Sequence, residues 1–260
     1  MTESSNALLH ALLGGLLIGA GAAALLLFNG KVAGISGITA NLLRGQAGPG
    51  AWRVAFLAGL LLPAAALGLD EVAFAGGWTG LAVAGLLVGV GTQVGSGCTS
   101  GHGHVHVGCD ADGLHHPPRV AAVNFLIALV AGALFGAGLV LSGMTDPQVV
   151  LGFLDIGGAW NPALAFTMGG ALLVTAPAYY LSRRRGKTLG GAAPELPPRR
   201  GIDARLLGGA ALFGVGWGLA GICPGPGLVL LVSADPAAYV FGAAMAAGML
   251  LAGLLRPGRG

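Results

Sequence analysis

The chain has 260 residues, 55% of them hydrophobic and only 9% charged, against about a quarter charged in an ordinary soluble domain. Thirteen basic and ten acidic side chains are too few to cover a soluble protein of this size, and a mean hydropathy of +0.81 excludes a disordered chain. The 50 glycines follow no three-residue period and Pro is only 14, which excludes collagen; what remains is an all-α integral membrane protein, in which glycine lets helices approach closely.

Taken in chain order, the uncharged stretches predict seven transmembrane helices, at 7–28, 52–69, 79–96, 119–141, 162–182, 205–222 and 237–255. The second is short and contains Pro63. Nothing alternates with period two, so a transmembrane β-barrel is not expected. The first stretch lacks a basic n-region and is longer than a signal-peptide core, so it reads as a span.

Charge sets the orientation. The segment 183–205 holds Arg183, Arg184, Arg185, Lys187, Arg199, Arg200 and Arg205, and the positive-inside rule makes it cytoplasmic. Alternation then places the 29–53 loop (Lys31, Arg44, Arg53) and the C-terminus inside as well. The N-terminus and the loops with Asp70 and Glu71, with Asp146 and Asp155, and with Asp235 fall outside. The expected location is a bacterial inner membrane. The basic loop reads as a topology determinant, and no nucleic-acid partner is expected.

The sequence carries signs of an internal repeat. Gly89-Val90-Gly91 precedes Cys98 by the same spacing as Gly214-Val215-Gly216 precedes Cys223. Phe28-Asn29-Gly30 resembles Leu141-Ser142-Gly143, and Ala55-Phe56-x-x-Gly59 resembles Ala165-Phe166-x-x-Gly169. The repeats are read as residues 1–118 and 119–260 of one membrane domain. Each carries an odd number of spans before its break, so the two enter the membrane in opposite senses, as in many transporters. Four Gly/Pro-rich interruptions, Lys31 to Leu43, Gly95 to Gly103, Thr145 to Leu154 and Cys223 to Val232, are too short to span. They predict re-entrant half-helices, because irregular backbone at membrane depth must line a cavity or be buried in protein.

Two of these interruptions hold a cysteine. Cys98 sits in Gly95-Ser96-Gly97-Cys98-Thr99-Ser100-Gly101-His102-Gly103, and Cys223 in Gly221-Ile222-Cys223-Pro224-Gly225-Pro226. Proline directly after Cys223 suits the first turn of a half-helix. Glycines allow close approach of the backbone to a ligand, helix starts favour anions, and a thiol is a soft, polarisable donor. The combination suits a small anion carrying a soft sulfur, against the plainer reading of each cysteine as a small core residue.

The Gly95 to Gly103 stretch resembles the signature of the YeeE/YedE sulfur-transport family, which includes thiosulfate importers. Three other stretches are similar to that family's remaining segments: Gly30-Lys31-Val32-Ala33-Gly34-Ile35-Ser36-Gly37-Ile38, Leu141-Ser142-Gly143-Met144-Thr145-Asp146-Pro147, and Gly216 through Pro226. The resemblance implies an inverted repeat with an hourglass-shaped path, in which thiosulfate passes between cysteine thiols. That role would fall on Cys98 and Cys223. Gly97, Thr99, Ser100, His102, Pro224 and the Gly34, Ser36 and Gly37 turn would shape the path. Cys109 is a weaker candidate, because Gly108 precedes it where the family has Cys-Gly. A cytoplasmic sulfur-carrier protein is a possible partner; no cofactor is expected.

Five of the six histidines, His102, His104, His106, His115 and His116, fall near Cys109, Asp110 and Asp112. These are good zinc or copper ligands, but no CxxC or HExxH spacing is present. The segment reads first as a polar loop, with His104, His106, His115 and His116 as weak metal candidates. The leading expectation is therefore a permease for thiosulfate or a related anion, not an enzyme. The alternatives are a metal-ion permease using residues 102–116, or a membrane sulfurtransferase carrying a persulfide.

Overall fold

The computed structural model describes residues 2–45, 51–69, 74, 77–95, 118–189, 193–196 and 203–254. Among them the secondary structure is helical, with no strand. Seven long helices stand where the uncharged stretches predict them: α1 (Thr2–Asn29), α3 (Trp52–Leu67), α4 (Gly77–Val94), α5 (Pro118–Leu141), α7 (Ala163–Arg185), α8 (Ala204–Ala220) and α10 (Pro236–Leu254). Three short helices fall in the interruptions: α2 (Ile35–Leu43), α6 (Pro147–Leu154) and α9 (Pro224–Val229), the last continued by a 3-10 turn at Leu230–Ser233.

Length divides the long helices. Five, α1, α4, α5, α7 and α10, are long and apolar enough to cross a bilayer alone, and α8 joins them when counted with the segment beyond its 54° bend. The exception is α3. Its 16 residues reach only about 24 Å, short of the ~30 Å hydrocarbon core. The predicted 52–69 span therefore ends two residues early, at Gly68 in the left-handed conformation (φ +71).

Glycine sets how the helices meet. A β-carbon at Gly59 of α3 would lie 2.9 Å from Ala133 N of α5 and closer still to Leu129 O. Gly170 of α7 meets α1 in the same way, with Leu12 O at 2.7 Å and Leu16 N at 3.1 Å. Conversely, Gly132 and Gly136 of α5 lie on Phe56 O and Leu60 O of α3, while Gly15 and Gly19 of α1 lie on Thr167 O and Ala171 O of α7. The α4–α8 contact is reciprocal as well: Gly91 abuts Gly209 and Phe213, and Gly216 abuts Ala84 and Val88. The glycine contacts thus run both ways between helices of the 1–118 and 119–260 segments. The packing shifts one sequence match: Gly170, not Gly169, does for α7 what Gly59 does for α3, and Gly169 faces open space.

All the extensive helix pairings, α1 with α5 and α7, α3 with α5, and α4 with α8 and α10, join a helix before residue 118 to one after it. Two buried clusters result. One gathers Leu25, Ile38, Phe56, Leu60, Phe135 and Val229; the other gathers Leu81, Val88, Ile222, Phe241, Met245 and Met249.

Several helix ends and connecting segments contact one another. Asn29 Nδ2 donates to Asn124 O (3.0 Å) and Arg44 donates to Gln93 Oε1 (3.0 Å) and Met249 O (3.1 Å). Leu189 N also donates to Leu27 O (2.8 Å), Glu195 N to Gly30 O (2.8 Å), and Lys31 pairs with Glu195. Segments 29–53 and 183–205, both predicted to be cytoplasmic, thus touch one another through Gly30 and Lys31. Elsewhere Gly221, after α8, meets Pro147 at the start of α6, and Ser142, just past α5, lies against Gly14 in the middle of α1.

Candidate functional site

The site is built where two breaks meet. Helix α1 ends on Gly30 (φ +68) and α5 on Gly143 (φ +70), a left-handed conformation that glycine adopts without a β-carbon penalty. Beyond Gly30 the chain runs irregularly through Val32 and Ala33 and re-enters a helix at α2. Gly34 is the N-cap of α2 and supplies no side-chain cap, so the first N–H groups of α2 have no intrahelical acceptor. Ser36, in that first turn, is 1% exposed, and its Oγ has no hydrogen-bond partner. A buried hydroxyl without a partner costs about 1–3 kcal/mol. Gly37 beside it has nothing within 4 Å where a side chain would stand.

Helix α8 ends at Gly221, also left-handed (φ +69). Two residues on, Cys223 is the extended N-cap of α9 (φ −98, ψ 169), and Pro224 fills the first helical position, as the Cys-Pro order predicts. Cys223 is half-buried. A half-open cavity of about 470 Å³ lies against it, walled by Val32, Ala33 and Ile35 on one side and Cys223, Gly225 and Pro226 on another. The two breaks touch directly: a β-carbon at Gly225 would lie 3.1 Å from Ile35 Cδ1. Of the predicted residues Cys223 lines this cavity, whereas Pro224, Gly34, Ser36 and Gly37 are not among its lining; their chain neighbours Val32, Ala33, Ile35, Gly225 and Pro226 are, so the two breaks, almost two hundred residues apart, meet at its wall.

The rest of the wall comes from α1, α5, Met144 and α7, with Ile18, Leu26, Phe135, Leu139, Thr167 and Tyr179 among its residues. Their contribution was missed by reading motifs, yet their helical spacing of three and four residues along α7 would have exposed it. The lining is mostly apolar. The Thr167 and Thr175 hydroxyls donate to Ala163 O (3.2 Å) and Ala171 O (2.8 Å) of their own helix. Polar character at the wall thus comes from the thiol of Cys223, the tip of Tyr179 and the remaining lone pairs of those hydroxyls.

The other predicted residues, Gly97, Cys98, Thr99, Ser100, His102, Cys109 and the metal candidates His104, His106, His115 and His116, lie outside the described residues. Among the described residues, no group of three or more His, Cys, Asp or Glu could hold a metal ion.

A family profile described as a family of unknown function, DUF6691, matches residues 123–259, just over half of the chain. The chain belongs to this family. Its relatives include two proteins of Xylella fastidiosa strain Temecula1, both named probable transporter. One is 46% identical over 132 residues, 50% of this chain and 89% of the relative; the other is 43% identical over 133 residues, 48% of this chain and 93% of the relative. A probable transporter of strain 9a5c is 46% identical over 130 residues. Each of these relatives is thus matched almost end to end by half of this chain. No solved structure matches the chain.

Proposed function

We propose that this protein is an inner-membrane permease that imports thiosulfate or a related small sulfur-containing anion. A transport role is supported by relatives named probable transporters and by the membrane-spanning architecture. The observation that carries the substrate reading is the meeting of the Cys223 break with Val32, Ala33 and Ile35, at the start of α2, on the wall of one cavity. A soft thiol on a wall with no charged side chain suits a polarisable sulfur-containing anion held without a fixed counter-charge. Such a site binds weakly enough to release its cargo, as conduction requires. In this reading Cys98 supplies the matching thiol from the other repeat, 1–118 facing 119–260, and the anion passes from one to the other along an hourglass-shaped path. The N-terminus lies outside, and the 183–205 segment and C-terminus lie in the cytoplasm, where a sulfur-carrier protein would receive the cargo.

Uptake of sulfur-35-labelled thiosulfate into proteoliposomes tests the proposal. Cys223→Ala and Cys98→Ala should each abolish uptake while the protein still inserts and purifies. Replacing His104, His106, His115 and His116 together should leave it intact. Normal uptake in either cysteine variant refutes the thiol relay. Metal uptake that disappears with the histidine variant, with no thiosulfate uptake in the parent, would establish a metal permease instead.

A further inference from the structure

Past the end of α7 the chain turns back and lies on the point where α1 breaks. Leu189 N donates to Leu27 O and Glu195 N to Gly30 O, each at 2.8 Å. Thr188 is buried there. Its Cγ2 stands 2.8 Å, and the Cα of Pro194 3.2 Å, from where a β-carbon on Gly30 would lie. The fit requires glycine at that position, since Gly30 is also left-handed (φ +68). Residues 188–189 and 193–196 therefore grip residues 27–31 of the α1–α2 connection. On either side of the gripped stretch, Leu26 before it and Val32 and Ala33 after it belong to the wall of the cavity that Cys223 lines.

An ion pair completes this grip. Glu195 pairs with Lys31. The Lys31 ammonium also stands over the Trp52 ring, 5.9 Å from its centroid, and the Arg53 guanidinium stands over the same ring at 4.9 Å. Two cations thus gather around one aromatic ring, beside the wall residue Val32, and the segment after α7 brings a carboxylate to one of them. That carboxylate occupies the place a small anion would take. The pair is solvent-exposed on the Glu195 side. Such pairs add little stability, so a doubly charged anion can replace the carboxylate at the same ammonium. We propose that residues 188–189 and 193–196 form an anion-released latch. Glu195 holds the α1–α2 connection in place by occupying Lys31; an anion arriving at Lys31 displaces the carboxylate, frees the connection and lets this wall of the cavity move. The identity of the anion rests on the thiosulfate reading, whereas the hold of Glu195 on the connection does not.

The test is amide hydrogen exchange at Leu189 and Glu195 of the full-length protein in phosphatidylethanolamine–phosphatidylglycerol nanodiscs, with sodium thiosulfate or sodium chloride added at equal ionic strength. Glu195→Gln removes the charge and keeps the backbone N–H. It should speed exchange at both amides about two- to fivefold, the effect of losing an exposed ion pair. In the parent, thiosulfate should do the same and chloride should not; in Glu195→Gln, thiosulfate should add nothing. Where the parent takes up labelled thiosulfate in proteoliposomes, Glu195→Gln should take it up faster by a similar factor. Exchange unchanged by Glu195→Gln refutes the latch, and unchanged uptake refutes its control of the cavity. Equal effects of thiosulfate and chloride refute displacement in favour of plain screening. Thiosulfate-accelerated exchange in a parent that carries no thiosulfate would overturn the cargo reading and leave the latch standing.

Discussion

The glycine contacts make a prediction whose sign differs between positions of similar appearance. Gly59 and Gly169 are both mid-helix glycines in matched sequence contexts. In Gly59→Ala the new methyl falls 2.9 Å from Ala133 N and within bonding-like reach of Leu129 O, both backbone atoms that cannot swing aside. Helix α3 must then move off α5 by about 1 Å. A gap of 0.5–1 Å forfeits about a quarter to a half of each dispersion contact along the seam, and overpacking typically costs 1–3 kcal/mol. The backbone clash puts Gly59 at the upper end, ~3 kcal/mol. Replacing glycine by alanine in a helix returns ~1 kcal/mol, leaving a net loss of ~2 kcal/mol, roughly a thirtyfold fall in the folded-to-unfolded ratio. Gly169→Ala meets nothing within 4 Å and keeps only the helix gain, about 0.5–1 kcal/mol. The assay is reversible unfolding in mixed micelles followed by far-UV circular dichroism, with both variants beside the parent. Equal effects, or a stabilised Gly59→Ala, would refute the claim that backbone contact at glycine holds the halves together.

Three further outcomes are expected. Ala234 caps the 3-10 turn in the left-handed region (φ 57), where a β-carbon costs about 1–2 kcal/mol. Ala234→Gly should therefore raise the unfolding midpoint, by a net ~0.5–1 kcal/mol after the entropy that glycine loses. Asp146 accepts from Gln148 N (2.9 Å) at the start of α6; Asp146→Ala should cost ~1 kcal/mol and speed amide exchange in α6 before other helices. The Lys31–Glu195 pair is solvent-exposed on the Glu195 side (53%), so Glu195→Gln should change stability by less than ~1 kcal/mol, and the difference from the parent should vanish in high salt.

The sequence by itself determined the class, the places of all seven long helices and three of the four predicted breaks, the Gly95 to Gly103 break falling almost wholly outside the described residues. These depend on local properties: apolar length against bilayer thickness, glycine at Gly30, Gly143 and Gly221, and proline directly after Cys223. Tertiary structure decided what no local rule reaches. It chose Gly170 over Gly169 as the partner of α1, since the two differ by only one position and only the rotation of α7 against α1 separates them. It joined the α2 turn to Cys223 across nearly the whole chain, and it recruited Thr167, Thr175 and Tyr179 to the same cavity, residues that carry no motif. Among the described residues it also packed Gly89 of α4 under α10 while leaving Gly214 of α8 without a neighbour, because helix faces are assigned by which neighbour arrives.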